Sequence, residues 1–456
     1  MHRYLDFDPE FSAIESLIQA GQLDEAARRC QPLVNDWING PRAANVIGVA
    51  ASMRQDHDEA AYWFEKACDG SPQTAKFQRN LALAYLELGE LEDAQEHFRL
   101  ALKLEGAEHV DATVYHNILL NGEQNRNGPP YIQRLKDVTI ETASWTILDG
   151  RNIYSRDVAD VNLNNGRYVT AIDRWKQLVV MAVPPPAVEI SEPCVFLGGD
   201  DNYSHWLTRI VPRLAILDEH PELKQLPLLV RSNLREYELD SLSRLGYGRE
   251  KLIEVDRPAA VTAKDIYVPS FPRHNIENMA KTLSWFREHM LSSNPEGLSK
   301  KSTRLFVSRK DAVRRRLINE DEIVEALAPL GVVPIVPSEL TFSEQVDLFS
   351  RAELVVGAHG AGLTNVAFCP AGCGVIEITC EQMATAEDFR AIADIFGQRM
   401  LVLMAQERDS EQLNDFGRPV YSELLIKPNR VAQAVEKILS GESLGLVPFN
   451  RRNVRH

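Results

Sequence analysis

The sequence predicts an α/β protein in which an all-α repeat region precedes a pair of α/β halves. Two observations carry this expectation. In the first 120 residues, small and aromatic positions recur every 34 residues, the step of a stacked helix–turn–helix unit. From Cys194 onward, short apolar runs alternate with stretches of helical periodicity, which implies parallel strands joined by helical crossovers. The length agrees, since 456 residues make about three domains at roughly 150 residues each. A chain of that size buries large cores without disulfides or structural metals.

The repeats come first. Ala26, Ala60 and Ala94 keep the 34-residue step, as do Cys30, Phe64 and Phe98. Gly21, Gln55 and Gly89 share it, and so do Leu17, Ala51 and Tyr85. The best copy runs from Thr74 to Leu104, Pro72 closes the middle copy, and the first copy is degenerate, as a cap would be. This unit resembles the tetratricopeptide repeat. Residues 1–120 hold 10 basic and 20 acidic side chains, a net −10 out of −15 for the whole chain. The repeats are therefore an acidic scaffold whose concave face is a candidate docking surface for a protein partner. A stack this short would serve equally as a dimer contact or a brace for the next domain.

A polar stretch, Asn121–Pro130, reads as a linker. Residues 131–183 alternate apolar and polar positions, giving short strands with tight turns at Asp149-Gly150 and Asn165-Gly166. Strands follow in CVFLGG, LPLLVR, KLIEV and DIYVPS, with helices over Tyr203–Leu217, Leu234–Leu245 and Asn275–Ser292. After a polar break at Asn294–Thr303 the alternation restarts with LFVS, VVPIV, ELVVGA, GVIEIT and RMLVLM. Its helices are expected at Glu320–Leu327, Ser343–Ser350, Ala386–Phe396 and Asn429–Leu439. The expected domains are thus repeats over 1–120, a first Rossmann-like half with a leading β-rich segment over 131–295, and a second over 296–440. Residues 441–456 form a tail. Two such halves face each other across a cleft, and ligands sit at the carboxyl ends of the strands.

Composition excludes several classes. With 50 basic and 65 acidic side chains, the chain lacks the basic footprint of a nucleic-acid binder. No apolar run approaches the ~20 residues of a membrane span, and MHRYLDFDPEF carries no secretory signal, so a cytoplasmic location is expected. The six cysteines show no framework spacing and read as reduced core residues. Cys369 and Cys373, without a second pair, make a poor zinc pattern, and no metal or other cofactor is expected.

Three stretches could carry chemistry. The first, His359-Gly360-Ala361-Gly362-Leu363-Thr364-Asn365, follows the apolar run ELVVGA directly. Glycines there let a ligand approach the backbone, a helix start offers N–H groups to an anion, and His359 and Asn365 can donate to it. The alternative is a turn that packs a helix tightly onto a sheet. The second stretch places five cations in residues 309–316, just after LFVS, followed by Asn319-Glu320. Arginine forks suit diphosphate oxygens, although such a run can also be a solvated face. The third, Gly198-Gly199-Asp200-Asp201-Asn202-Tyr203-Ser204-His205-Trp206, puts His205 in the first turn of a helix. A histidine there could take a proton from an acceptor hydroxyl, or could simply fix the helix start. Glu377, at the end of GVIEIT, could accept ribose hydroxyls.

Together these stretches resemble glycosyltransferase family 61, with the similarity running from about Asp149 to Leu439. The family's Asn-x-x-His appears as Asn202-Tyr203-Ser204-His205, followed by Pro212-Arg213-Leu214. Its Ser-Arg…Arg-x-x-Asn-Glu segment appears as Ser308, Arg309, Arg316, Asn319 and Glu320. The stretch LTFSEQVDLFSRAELVVGAHGAGLTN matches the nucleotide-binding half, with Glu377 in the next strand. Four positions after the histidine the family has a carboxylate, whereas this chain has Arg209, which leaves Asp200 or Asp201 to replace it.

The resemblance implies a GT-B arrangement and inverting, metal-independent transfer from a nucleotide sugar to a glycan or protein hydroxyl. It assigns the donor to Arg309, Arg316, Asn319, His359, Gly360, Ala361, Gly362, Asn365 and Glu377. His205, as general base, and Asp201 would be the catalytic residues, and Asn202 and Tyr203 would lie on the acceptor side. The competing readings are a repeat-based scaffold with a degenerate sugar-nucleotide sensor and, from two facing Rossmann halves alone, a sugar-nucleotide epimerase.

Overall fold

The computed structural model describes residues 13–441, apart from 15, 18–19, 106–110, 116, 120–129, 151, 155–168, 174–177, 184, 258, 271–275, 293–302, 313, 384–387 and 410–421. The expected turn at Asn165-Gly166 and the tail 441–456 from Glu442 on lie outside the described residues. The chain divides into two compact units. The first holds residues 1–122, 136–192 and 256–265; the second holds 123–135, 193–255 and 266–456. Among the described residues no helix is long and apolar enough to cross a membrane.

In the first unit the 34-residue register becomes helices Leu23–Cys30, Gly40–Met53, His57–Gly70, Ala75–Leu88 and Leu91–Leu104. Ala26, Ala60 and Ala94 are completely buried because only a methyl fits where the helices cross. The aromatic register fills the remaining space: Phe64 and Phe98 are buried, and a Cβ on Gly48 would lie 2.6 Å from the Phe64 ring. The turn register is as regular. Gly21, Gln55 and Gly89 have φ of 73°, 65° and 83°, all left-handed.

The β-rich segment over 136–192, expected to lead the first Rossmann-like half, belongs instead to this repeat unit. Packing gives the reason. The strand Leu178–Val183 lies antiparallel between Asp111–Tyr115 and Val169–Asp173, and its Val180 shares a core with Ala82, Leu86, Ala94 and Phe98 of the last repeat. The Asp149-Gly150 turn does join two antiparallel strands, Thr146–Asp149 and Asn152–Tyr154, with Gly150 at φ 56°.

The second unit contains both α/β halves. In the first, the strand order is Leu252–Val255, Leu228–Arg231, Cys194–Gly198 and then residues 266–269, all parallel. This is the 3-2-1-4 order of a Rossmann half. In the other half the order is Val333–Ile335, Thr303–Val307, Ala352–Ala358, Gly374–Thr379 and Arg399–Met404, again all parallel. This is the 2-1-3-4-5 order of the flavodoxin type. Its central strands are mostly apolar because helices cover both faces. Leu354, Val356, Ile376 and Ile378 meet the helices Glu320–Leu327 and Pro428–Leu439. Val355 and Val375 point the other way, into a core built on Phe342, Phe349, Leu363 and Phe368.

That second core does not stop at the half. Val195, Trp206, Leu207, Phe286 and Met290 of the first half belong to the same cluster. Phe286 and Phe368 stand 6.2 Å apart between ring centres, and Arg287 donates to the Cys369 carbonyl at 2.8 Å. Two elements differ from expectation in kind. The stretch after His359 is a 3₁₀ helix, Ala361–Phe368, and residues 203–219 pass from α through π to 3₁₀ geometry. Pro212 removes a backbone donor there, and the shifted ladder is the local response.

Candidate functional site

The five-stranded sheet reverses its strand order between Thr303–Val307 and Ala352–Ala358. Ligands of open α/β sheets bind outside the carboxyl ends of the strands at such a reversal. The loops that leave these two strands carry Ser308-Arg309 and His359-Gly360, so the structure brings the first two sequence stretches together. The buried Glu320 fixes the first loop, accepting from Ser308 Oγ at 2.5 Å and from the Arg309 amide at 3.1 Å.

Arg309 then lies against the second loop. Gly360 is extended, with φ 170°, and any Cβ on it would run into the Arg309 guanidinium. Glycine here leaves room for the guanidinium, which a side chain would push aside. Arg309 Nη2 donates to the Arg314 carbonyl at 2.7 Å, while its Nε is buried without a partner. No carboxylate among the described residues forms an ion pair with it. Burial, and then the neighbouring Arg315, pull its pKa down to about 10. Asp311 and Glu320 act the other way, so the geometry leaves Arg309 a half-buried cation with no ion pair among the described residues, free to meet an anion.

His359 lines the same loop. Its Nδ1 meets Glu377 Oε1 at 2.5 Å, both groups being buried, and its ring packs 5.0 Å from Phe389. Glu377, expected to reach a ribose, is thus engaged in orienting His359, which leaves Nε2 as the nitrogen to present. Ala361 and Gly362 open the 3₁₀ turn, whose first N–H groups have no partner within the helix. A Cβ on Gly362 would lie 2.9 Å from Val307, so this glycine seats the turn on the sheet.

The cationic run divides its labour differently from expectation. Arg316, expected at the donor, pairs with Glu423 at 2.6 Å, and Asn319 donates to the Ile426 carbonyl at 2.8 Å. Both therefore tie the loop to the strand Ser422–Leu425 and the chain following it. Arg315 is the cation beside Arg309. Its backbone is left-handed at φ 56°, its Nε is buried without a partner, and burial lowers its pKa. Sequence alone gave no sign of that backbone turn, which decides which of three consecutive arginines faces Arg309.

In the first half the strand order reverses between Cys194–Gly198 and residues 266–269, and the loop after Gly198 carries the third stretch. Gly198 is left-handed at φ 77°, and Gly199 admits the Arg231 side chain, which would lie 2.8 Å from a Cβ there. Asn202 caps the helix by accepting from the Ser204 amide at 2.8 Å. His205 Nδ1 meets Asp200 Oδ2 at 2.8 Å, and Asp200 Oδ1 accepts from the Asn202 amide at 2.7 Å. The carboxylate on His205 is therefore Asp200 rather than Asp201. Adjacent carboxylates point apart, and Asp201 turns to Arg231 at 3.8 Å and Arg235 at 4.0 Å. Burial alone would raise the Asp200 carboxyl, but the bond from His205, that histidine's charge and the Asn202 amide hold it below its usual range. Arg209 adds to the same pull.

The two loops also meet. Tyr203, expected on the acceptor side, donates its hydroxyl to Asn365 Oδ1 at 2.6 Å, with Gln345 Oε1 at 3.2 Å. Asn365, expected at the donor, is fully buried and gives its amide to Gln345 Oε1 at 2.8 Å. Gln345 had no sequence signal, since a glutamine on an amphipathic helix is usually a surface residue.

Fold and site define a helical-repeat protein joined to an α/β region with an anion-adapted strand-end site. Residues 203–376 match the family described as Glycosyltransferase 61, and residues 11–75 match a tetratricopeptide repeat. It is similar to the EGF domain-specific O-linked N-acetylglucosamine transferase of Gallus gallus, 32% identical over 99 residues, 20% of this chain and 18% of that one. A β-1,2-xylosyltransferase of Oryza sativa subsp. japonica is 33% identical over 93 residues, 20% of each chain. The chain thus spans about a fifth of the length of these relatives. Among solved structures, the Sgt2 tetratricopeptide domain of Aspergillus fumigatus is 20% identical with a TM-score of 0.21, covering 22% of this chain and 66% of that one.

Proposed function

We propose that the chain is a glycosyltransferase that moves a sugar from a nucleotide-sugar donor to a hydroxyl of a glycan or protein acceptor. The carrying observation is Arg309, a desolvated cation without a carboxylate partner, packed against the Gly360 backbone where the strand order reverses. In this reading the two α/β halves work as a GT-B pair. The donor diphosphate lies on Arg309, Arg315 and the first amides of the 3₁₀ turn at Gly360, Ala361 and Gly362, with the His359 ring on the same loop. Fixed cations and amides stabilise the leaving diphosphate as its bond to the sugar breaks, the role a divalent metal would otherwise fill. Removing one such donor typically costs about 10²–10³ in rate.

On the acceptor side His205 is the general base. Asp200 accepts the Nδ1 proton and thereby fixes the tautomer that leaves Nε2 as the acceptor for the hydroxyl proton. The freed oxygen attacks the anomeric carbon from the face opposite the diphosphate, which inverts the configuration. Arg209, standing where a carboxylate is expected, favours a second reading in which this half is a sugar-nucleotide sensor serving the repeats. Asp200 supports catalysis against it, since a carboxylate on His205 is still supplied, from the other side. The acidic repeats would then bring a protein partner or acceptor.

The test is turnover. Wild type and His205→Ala are incubated with UDP-, GDP- and ADP-sugars in the presence of glycan and peptide acceptors, and released nucleotide and glycosylated product are measured. Transfer by the wild type, falling about 10²–10⁴-fold in His205→Ala with donor binding retained, is expected. Donor binding without transfer to any acceptor supports the sensor reading instead. Conversion of the donor sugar without an acceptor would reveal an epimerase.

A further inference from the structure

The hydroxyl of Tyr203 joins the two loops that carry the candidate chemistry, and the direction of every bond in that junction is fixed. Gln345 Nε2 donates to the carbonyls of Pro337 at 2.9 Å and Leu340 at 3.1 Å, so its amide orientation leaves no choice. Gln345 Oε1 must then accept, and it takes a proton from Asn365 Nδ2. The same Asn365 nitrogen also lies 3.3 Å from the Gly362 carbonyl, inside the turn that starts at Gly360. Asn365 Oδ1 is consequently aimed at Tyr203, whose hydroxyl must donate. Asn365 and Gln345 are buried, so none of these bonds is exchanged for water at low cost.

On the other side, Tyr203 stands in the first turn of the helix capped by Asn202, two residues before His205. Its ring is held edge-on against Tyr237 at 4.9 Å. A displacement of the Gly360–Gly362 turn therefore has a directed polar route into the turn that carries His205, through Asn365 and a single phenol proton. Apolar packing between the halves resists separation, but it has no fixed direction and does not by itself set the angle of a side chain.

We propose that Tyr203 is a positioning residue: through Asn365 and Gln345 it couples occupancy of the Gly360–Gly362 turn to the placement of His205. The inference rests on the donor-site reading above. It makes the acceptor base respond to the donor, so that the imidazole takes its working position only when the diphosphate turn is filled.

The experiment follows His205 directly. Histidine is isotopically labelled in the full chain, the His205 ring signal is identified by its loss in His205→Gln, and UDP and GDP are titrated separately. In the wild type the binding nucleotide should move the His205 signal. In Tyr203→Phe the same nucleotide should bind with similar affinity by calorimetry while the His205 signal stays at its unliganded position. An undiminished shift in Tyr203→Phe overturns the coupling. Failure of both nucleotides to bind the wild type overturns the donor-site reading, and the coupling falls with it. If circular dichroism shows that Tyr203→Phe has lost its fold, Gln345→Met takes its place. That variant removes the shared acceptor and keeps the Tyr203–Asn365 bond, so a reduced shift is expected and a full one contradicts the proposal.

Discussion

Asp200 shows how much of the acceptor-side site depends on one loop residue. Its carboxyl is held below the usual range although burial works against it, because His205 and the Asn202 amide donate to the charged form. A depressed folded-state pKa stabilises the fold above the unfolded value of about 4 and loses that contribution as pH falls through the folded one. The melting temperature of the wild type should therefore drop more steeply with acidification below about pH 4 than that of Asp200→Asn. Parallel curves would contradict the pairing. The sequence leaves Asp200 and Asp201 as alternatives for the carboxylate missing at position 209 and points to Asp201 as catalytic. The choice was not legible because it depends on how the chain leaves Gly198 in a left-handed turn. Arg315 and Arg316 divide for the same reason, whereas the place of Arg309, His359 and Gly360 at strand ends was legible because each lies within two residues of an apolar run. Gln55 offers a second test at this scale. It holds the left-handed turn that Gly21 and Gly89 hold in the neighbouring copies, at a cost of roughly 1–2 kcal/mol for a residue with a Cβ. Gln55→Gly should raise stability by about 1 kcal/mol once glycine's own entropy is subtracted. A loss of stability in thermal unfolding would show that the exposed glutamine does something else there.

The elements of the chain were far more legible than its site. Helix Glu320–Leu327 has the bounds read from periodicity, and the helices at Phe342–Ser350 and Pro428–Leu439 begin one residue earlier than expected. Parallel strands buried on both faces announce themselves as apolar runs, and repeats as a recurring register. The 3₁₀ turn after His359 did not, because its form is set by tertiary packing. Its Leu363 and Phe368 are pulled into the core that joins both halves, and Gly362 lets it sit against Val307. That residues 136–192 group by contact with the repeats was not legible, because strand pairing across long separations leaves no local trace. Within the repeats, Gly48 is the element-level test. A methyl there would lie 2.6 Å from the Phe64 ring, between consecutive helices. Gly48→Ala should therefore destabilise by about 1–3 kcal/mol through overpacking, although alanine is the better helix former. A neutral result in denaturant unfolding would mean that Phe64 can move aside.

At the scale of the whole second unit, the two α/β halves share one apolar core, from Val195 and Trp206 to Phe342 and Phe368. Arg287 and Tyr203 add directed bonds between them. Halves joined in this way should not open and close as hinged bodies, since relative motion is expected only where the interface is small or polar. Spin labels at the exposed positions 236 and 325 should keep their separation within about 2 Å when a nucleotide is added. A larger change would show that donor binding closes a hinge, and the coupling would then not need Tyr203. The repeats stand outside this argument, and their acidic surface is where a partner or acceptor would be sought.

The most direct test of the account is a calorimetric titration of UDP, GDP and ADP into the wild type and Arg309→Ala. One nucleotide should bind the wild type and bind Arg309→Ala about 10–100-fold more weakly, the loss of one or two charge-assisted hydrogen bonds at about 1.5–3 kcal/mol. Equal affinity in the two proteins, or no binding of any nucleotide to the wild type, would contradict it.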